Sequence, residues 1–203
     1  MSSATSIDLG RLPALAELFA HLSAGKHLNR LANHRLWAEL EREEASYLAL
    51  FNALGFDLRI DGRGFAWFQV DEATSTVSKT TRQLALLFML IFEHQANAGM
   101  QLARFTDWII DAALLAAVVE KHTMLLDAEN LAVSDLQQLL KSAANYGFVV
   151  PDGAGWQLLP AVFRYLDRFE ELAHREATRH DALLDVEDAL KTDAETDDDE
   201  AAP

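Results

Sequence analysis

Two segments of this chain repeat one order of signals: amphipathic helices, a last helix that ends at a glycine, and then a short β-hairpin. In the first segment the last helix ends at Gly55 and hairpin signals continue to Val70. In the second segment the last helix ends at Gly147 and hairpin signals continue to Leu159. Helices followed by a two-stranded wing are the element order of a winged-helix domain, a helix-turn-helix variant. The sequence therefore predicts an α+β, mainly helical fold of tandem winged-helix domains with short β-hairpin wings.

Hydrophobic periodicity places the helices of both segments. Predicted helices cover 9–23, a short stretch at Leu36–Leu40, 47–54, 81–97, 107–121, 134–146 and a last helix with Pro160 in its first turn. Residues 26–30 are predicted to be a short extended segment, and the acidic run Glu39–Glu44 a solvated turn or an exposed face. Ser134 and Gln137 have the spacing of a capping box, which predicts that they open the helix to Tyr146.

Composition predicts four regions along the chain. Residues 1–72 form an N-terminal winged-helix domain, 73–80 a small polar linker, 81–176 a C-terminal winged-helix domain, and 177–203 an acidic tail. The tail has ten acidic and two basic residues, and its few apolar residues are dispersed among the acids. Because such a segment buries too little apolar surface to fold, it is predicted to be disordered.

Composition also excludes several classes of protein. The chain has no cysteine, so it has neither disulfides nor thiolate metal ligands. Its longest uninterrupted apolar run is Leu84–Phe92, whereas a membrane-spanning helix needs about 20 residues. The N-terminus shows no basic region followed by an apolar core. We therefore expect a soluble, cytoplasmic protein.

The sequence shows no catalytic constellation. None of the seven histidines has the i, i+4 spacing of a zinc-binding helix with an intervening acid, so surface or helix-end positions are expected. The Gly62-Arg63-Gly64 sequence lies in a hairpin turn and opens no phosphate-binding helix. Neither a P-loop nor a Gly-X-Ser-X-Gly motif is present. We expect no enzymatic activity, catalytic residue, metal or cofactor, and the remaining alternative is a small metal-dependent enzyme that uses the histidines.

Basic residues are concentrated locally, although the chain has a net charge of −15. The stretch Leu18–Ala38 and the stretch Ala73–Phe92 contain no acidic residue. Phosphate contacts need lysine and arginine, so these stretches and the first wing supply seven candidate DNA-binding residues: Lys26, Arg30, Arg35, Arg59, Arg63, Lys79 and Arg82. The alternative is ordinary solvated charge, part of it paired with the Glu39–Glu44 cluster.

Aromatic residues in the first wing and in the apolar helix 81–97 have two interpretations. They either belong to the core or form part of a protein–protein interface, where aromatic residues are enriched. Core is the safer interpretation of each residue, but their abundance favours an obligate oligomer. The candidate residues for a dimer or partner interface are Phe65, Trp67, Phe68, Phe88 and Phe92.

The order of elements resembles the MukE/MksE-like accessory subunits of bacterial condensins, the kleisin-interacting tandem winged-helix (KITE) proteins. The resemblance covers residues 9–173, and within the family the size and the short acidic tail are most similar to MksE. The segments that carry it are Phe19–Arg30, Tyr47–Phe56, Gly64–Phe68, Asn145–Val149 and Leu158–Val162.

This resemblance implies a non-enzymatic subunit that forms homodimers through the first winged-helix domain. Its implied partners are a kleisin (MksF/MukF-like), an SMC-type ATPase (MksB/MukB-like) reached through the kleisin, and DNA within the assembled, nucleoid-associated complex. The implied role is chromosome organisation or plasmid defence. On this analogy Lys26, Arg30 and Arg35 are candidates for DNA contact.

The alternative function is a winged-helix transcription regulator. Such a protein needs basic and polar residues on an exposed recognition helix. The third helices of the two segments carry Glu43, Glu44 and Asp135 against Lys141 alone, and no arginine that could read guanine edges. This charge distribution disfavours the alternative.

Overall fold

The computed structural model describes residues 7–69 and 79–176. The chain divides into two compact units, Met1–Val162 and Phe163–Pro203. The predicted tail 177–203 and residues 73–78 of the predicted linker lie outside the described residues, and Lys79 and Thr80 belong to a helix.

The first unit contains two successive segments with the same order of elements. The first segment comprises α1 (Leu15–Ser23), β1 (Leu28–Asn29), α2 (His34–Arg42), α3 (Glu44–Ala53), β2 (Asp57–Asp61) and β3 (Phe65–Gln69). The second comprises α4 (Lys79–Asn97), β4 (Ile109–Ile110), α5 (Ala112–Ala128), α6 (Val133–Asn145), β5 (Val149–Asp152) and β6 (Gly155–Leu158). Helix, strand, two helices and a hairpin is the winged-helix order, so the predicted fold class is confirmed.

Each wing is a three-stranded antiparallel sheet rather than the predicted two-stranded hairpin. The strand orders are β1-β3-β2 and β4-β6-β5, so a short early strand joins the second strand of each hairpin. Leu28 lies opposite Ala66, and Ile110 lies opposite Trp156. The sequence indicated an extended segment at 26–30 but not β4, because Ile109 and Ile110 fall within the apolar pattern of the predicted helix 107–121.

Glycines end both third helices, as predicted. Gly55 and Gly147 have φ angles of 83° and 80°, in the left-handed region. After α3 the amide of Phe56 donates to the carbonyl of Phe51 at 2.8 Å, and after α6 the amide of Phe148 donates to that of Ala143 at 2.9 Å. These bonds are the Schellman arrangement that satisfies the last carbonyls of a helix and turns the chain into the wing.

Several predicted helix boundaries are wrong. The predicted helix 9–23 is a 3₁₀ turn at Leu9–Arg11 followed by α1, and the last helix begins at residue 163 after a 3₁₀ turn at Pro160–Val162. α5 begins later than predicted, because a 3₁₀ turn at Leu102–Asp107 and β4 come first. The Ser134–Gln137 capping box is also wrong.

The cap of α6 is made by a different residue. This helix already begins at Val133, and the carboxylate of Asp135 accepts the backbone N–H of Ala132 at 2.9 Å. A carboxylate in the first turn also interacts favourably with the helix dipole. Asp135 therefore caps the start of α6, a role that the sequence pattern assigned to Ser134.

An apolar core supports the first sheet. α1, α2 and α3 bury Leu18, Leu40, Tyr47 and Phe51 almost completely. Phe68 of β3 packs edge-on against Phe51, with ring centroids 5.0 Å apart. Full burial of one such side chain stabilises the fold by roughly 1.5–3 kcal/mol, so this core holds the helices and the wing together.

Candidate functional site

The basic segment 25–30 packs against the end of α6 in the second segment. The backbone N–H of His27 donates to the carbonyl of Tyr146 at 2.9 Å. The Nδ1 atom of His27 lies 2.9 Å from the same oxygen, and its ring centroid is 4.5 Å from that of Phe148. His27 is only 5% exposed, so the expectation of a surface or helix-end position is wrong for this histidine.

Asn29 makes the second connection and has no exposed surface. Its Nδ2 donates to the carbonyls of Gly147 at 2.8 Å and of His27 at 3.3 Å. Its Oδ1 accepts the backbone N–H of Ala161 at 3.1 Å. A side-chain amide has two donor hydrogens and one acceptor oxygen, so each of its groups is bonded.

Gly147 lies at the closest approach of the two segments. A Cβ atom built on it would be 2.5 Å from the carbonyl oxygen of His27, in addition to the strain of its positive φ. Only glycine fits without movement of β1 or α6. We refer to His27, Asn29, Tyr146, Gly147 and Ala161 as the β1–α6 clamp.

Five of the seven candidate DNA-binding residues lie beside carboxylates. Arg59 and Arg63 are each 2.7 Å from an aspartate oxygen of their own wing. The pairs are Arg30–Glu41, Arg35–Glu17, Arg59–Asp57, Arg63–Asp61 and Arg82–Glu129. Lys26 is half-buried and Lys79 is exposed, and neither is paired with a carboxylate within the described ranges. Surface pairs of this kind contribute about 0–1 kcal/mol, so a phosphate can compete with the carboxylates.

Arg30 and Arg63 come together at one end of the first sheet. The backbone N–H of Arg30 donates to the carbonyl of Gly64 at 2.9 Å, next to Arg63 in the wing turn. The Arg30 guanidinium lies 5.5 Å from the ring centroid of Trp37, and that of Arg63 lies 5.6 Å from the ring centroid of Phe65. Arg59 lies on β2 of the same sheet, Arg35 on α2, and Lys79 and Arg82 on α4 of the second segment.

The candidate interface residues divide by burial. Phe65 and Phe88 are fully buried and Phe92 is 6% exposed, so these three rings lie in the core of the chain. Trp67 and Phe68 are partly exposed on β3. Of the five residues, therefore, Trp67 and Phe68 keep exposed surface that a partner could contact.

The structure buries two carboxylates that the sequence analysis did not identify as buried. Both belong to the run Glu39–Glu44, which is predicted to be a solvated turn or an exposed face. Glu39 is 8% exposed, and it accepts the Tyr47 hydroxyl and the backbone N–H of Ala14 at the start of α1. Glu43 is 7% exposed and lies 2.9 Å from the Arg11 guanidinium. Their spacing of four residues, which places both on one helix face, was the available signal.

Burial is the main cause of the altered acidity of Tyr47. Together with the hydrogen bond to Glu39 and its negative charge, it raises the pKa of the Tyr47 hydroxyl. A neutral phenol that donates to a carboxylate stabilises the junction of α2 and α3. We therefore assign these groups a structural role.

Two properties of residues 7–69 and 79–176 concern metal binding and membrane crossing. In these ranges no group of three or more His, Asp or Glu side chains is placed to hold a metal ion. None of the helices in the same ranges has the length and apolar character to cross a membrane.

Comparison with curated proteins yields no match. A family model described as condensin complex protein MksE matches residues 13–170. The matched range includes all six helices and six strands of the two winged-helix segments. The resemblance to MksE is thereby confirmed, and since the match covers well over half of the chain, this protein belongs to the MksE family of condensin complex proteins.

Proposed function

We propose that this protein is a non-enzymatic accessory subunit of a bacterial SMC-type condensin of the MksBEF/MukBEF-like kind. The observation that supports this most directly is the match to MksE over residues 13–170. In this proposal the chain dimerises in the cytoplasm, binds an MksF/MukF-like kleisin, and is connected through it to an MksB/MukB-like ATPase. The nucleoid-associated complex then entraps DNA for chromosome organisation or plasmid defence.

The β1–α6 clamp supports an assembly role. It holds β1 of the first segment against the end of α6 through backbone and side-chain hydrogen bonds. Since buried, fully bonded polar groups specify one arrangement of the elements around them, the clamp presents both winged-helix segments as one scaffold. Trp67 and Phe68 at the first wing are the residues that we propose for dimer or partner contact.

We propose that DNA contact is shared with the partner subunits. The net charge of −15 repels DNA from the isolated chain. Within a complex that brings DNA close, Lys26 and the paired arginines Arg30, Arg35, Arg59 and Arg63 are available, because exposed ion pairs exchange readily. Lys79 and Arg82 on α4 complete the proposed set.

Co-purification tests the proposed function. The full chain is co-expressed with the kleisin and the SMC-type ATPase of the same genome, and the complex is analysed by size-exclusion chromatography with light scattering. We expect this chain to be a dimer that co-elutes with both partners. A stable monomer that recovers neither partner contradicts the proposal.

DNA binding by the isolated chain is the second measurement. We expect weak, sequence-independent binding that disappears as salt is raised. Tight binding of the isolated chain to one defined operator would instead assign it to the winged-helix transcription regulators.

A further inference from the structure

The side chain of Arg30 is held between the turn of the first wing and α2. Its backbone N–H donates to the carbonyl of Gly64 at 2.9 Å, and its guanidinium lies 5.5 Å from the ring centroid of Trp37. The side chain also passes close to Gly64, because a Cβ atom built on that glycine would lie 3.4 Å from both Cβ and Nε of Arg30. The stem of Arg30 is therefore fixed, although 53% of its side chain is exposed.

The N–H groups of the Arg30 guanidinium are oriented but make no hydrogen bond in the part of the chain that the structure describes. Their ion-pair partner there is Glu41, whose carboxylate oxygen lies 4.0 Å away, which is beyond hydrogen-bond length. By contrast, Arg35, Arg59 and Arg63 each donate to a carboxylate oxygen. A guanidinium presents five N–H donors in a planar fork, so Arg30 has donors to offer to a ligand.

Trp37 supports Arg30 with the face of its ring. The residue is only 5% exposed, and its Nε1 atom is buried without a hydrogen-bond partner in the described ranges. A buried indole N–H usually has a partner, so tryptophan has a cost here that a purely apolar side chain would avoid. Indole is also the aromatic ring that best stabilises a cation above its face. The ring of Trp37 therefore has a role beyond filling the core.

An oriented guanidinium fits a ligand that offers two oxygens side by side. Phosphates and carboxylates accept two parallel N–H bonds from arginine, and an arginine that is already held in place loses less entropy when it binds them. Arg63 is next to Gly64 in the same wing turn. A polyanion with regularly repeated charges can contact both arginines, which favours the backbone of DNA over a single carboxylate.

We propose that Trp37 and Gly64 position Arg30 as the phosphate-binding residue of the first winged helix, where it holds a DNA phosphate through two parallel N–H bonds. This inference rests on the proposed function, since DNA reaches the site within the assembled complex. Arg30 contacts the phosphate, and Trp37 and Gly64 are positioning residues. The other candidate basic residues then contribute mainly charge.

Arg30→Lys separates geometry from charge. Lysine keeps the positive charge but has neither the planar fork nor the stacking face of arginine. We expect the assembled complex to bind a labelled DNA duplex about threefold to tenfold more weakly, as for the loss of about one hydrogen bond. The slope of log affinity against log salt concentration should stay the same, because it depends on the number of charges that contact phosphates. Fluorescence anisotropy at several salt concentrations measures both quantities.

The matched control is Arg104→Lys. This arginine is exposed, pairs with Asp107 and is not among the candidate DNA-binding residues. We expect the complex that carries this variant to bind DNA like the unmodified complex. An equal loss in Arg30→Lys and Arg104→Lys would overturn the proposal.

Substitutions of Trp37 test the positioning role. Leucine removes the aromatic face, whereas phenylalanine keeps a smaller one. We expect Trp37→Leu to weaken DNA binding by the complex about as much as Arg30→Lys does, and Trp37→Phe to restore most of the affinity. Equal affinities of the two Trp37 variants would contradict the role of the ring. Thermal denaturation shows whether each variant is folded, and Arg30→Lys, which changes an exposed side chain, keeps the test valid if they are not.

The outcomes separate this inference from the proposed function. If the complex binds DNA and Arg30→Lys leaves the affinity unchanged, the inference is overturned and the proposed function stands. If the complex neither assembles nor binds DNA, both fail. If Arg30→Lys lowers the recovery of the kleisin but not the affinity for DNA, the ligand of Arg30 is a carboxylate of the partner, and the inference is again overturned.

Discussion

Asn29 lies without exposed surface where β1, the end of α6 and the turn at Pro160–Val162 meet. Around it, single residues decide the geometry through close contacts and complete hydrogen bonding rather than through charge. Gly147 fits against the His27 carbonyl because it lacks a side chain. Neither role could be predicted from the sequence, since both depend on a partner more than 100 residues away.

Replacing Asn29 tests the clamp. In Asn29→Ala the carbonyl of Gly147 and the amide of Ala161 lose their partner while buried, so we expect the free energy of unfolding to fall by about 2–4 kcal/mol. Urea denaturation followed by circular dichroism measures it. Asn52→Ala on the exposed face of α3 is the control, with an expected change within about 0.5 kcal/mol. Equal effects of the two substitutions would contradict the assignment.

Gly147 and Gly55 form a matched pair for a second prediction. Both have a positive φ near 80°, but a Cβ on Gly55 would meet no atom within 4 Å. Gly55→Ala therefore costs only the left-handed strain, about 1–2 kcal/mol. Gly147→Ala adds the clash with His27, and we expect about 1–3 kcal/mol more. Calorimetric unfolding of both variants measures the difference between their losses of unfolding free energy. Equal losses would show that β1 moves away from residue 147 without cost.

The pH dependence of stability follows from Tyr47. An unfolded tyrosine loses its proton near pH 10, whereas burial raises the pKa of Tyr47 in the folded chain. The stability contributed by the neutral phenol is therefore complete below about pH 10 and is lost as the pH rises above it. We expect the unfolding free energy to fall above pH 10, and less steeply in Tyr47→Phe.

A second phenol, that of the half-buried Tyr165, is present both in the unmodified chain and in Tyr47→Phe. Burial raises the pKa of Tyr165 to about 12, so some alkaline loss remains in Tyr47→Phe. Urea titrations at several pH values give the fall of the unfolding free energy with pH for each protein. The difference between these two slopes is the contribution of Tyr47. Identical slopes would exclude the assigned contribution.

At the scale of elements, strong local signals were sufficient for prediction and weak ones were not. The glycine-terminated helices and both hairpins were predicted, because Gly55, Gly147 and the turn residues act through local backbone geometry. β4 was missed, since Ile109 and Ile110 form a strand only through pairing with β6. The predicted start of α6 was wrong because Ser134 has the spacing of a capping residue, whereas the carboxylate of Asp135 accepts the Ala132 amide and the helix begins at Val133.

This helix start gives an element-scale prediction. Asp135→Ala removes the carboxylate that accepts the Ala132 amide, so we expect a loss of about 0.5–2 kcal/mol in unfolding free energy. Ser134→Ala, at the position favoured by the sequence pattern, should change it by less than about 0.5 kcal/mol. Thermal denaturation distinguishes the two, and a larger loss in Ser134→Ala would restore the capping box.

At the scale of the whole molecule, the fold class and the family could be predicted, but the site could not be located. The repeated order of helices and hairpin identified tandem winged helices, and the family match covers both. Five of the seven basic residues were chosen from acid-free stretches of sequence, and Arg59 and Arg63 from the first wing. In space, Arg35 lies beside Glu17 of α1, and Arg82 lies beside Glu129, which follows α5 directly; linear spacing does not reveal either pair.

The proposed DNA contact gives a prediction for the assembled complex. Arg30 and Arg63 lie at the same end of the first sheet. Reversing both to glutamate should weaken DNA binding by the complex about tenfold and reduce its salt dependence, because two phosphate contacts are lost. Electrophoretic mobility shifts at several salt concentrations measure both quantities.

The control for charge alone is the double variant Arg104→Glu and Arg168→Glu. Both arginines are exposed, pair with an acid three residues later, and are not among the candidates. We expect DNA binding by the complex to change little. Equal losses in the two double variants would indicate a general charge effect rather than contact at the first sheet.

The β1–α6 clamp also has a consequence for synthesis of the chain. Asn29 leaves the ribosome long before Gly147, which follows 118 residues later. At a translation rate of about 5–20 residues per second, this delay lasts about 6–24 s. During that time the first winged helix has its other contacts available, but the amide of Asn29 and the ring of His27 remain hydrated. The joining of the two segments is therefore a late, long-range step in folding, and it completes the burial of a site that was made near the beginning of translation.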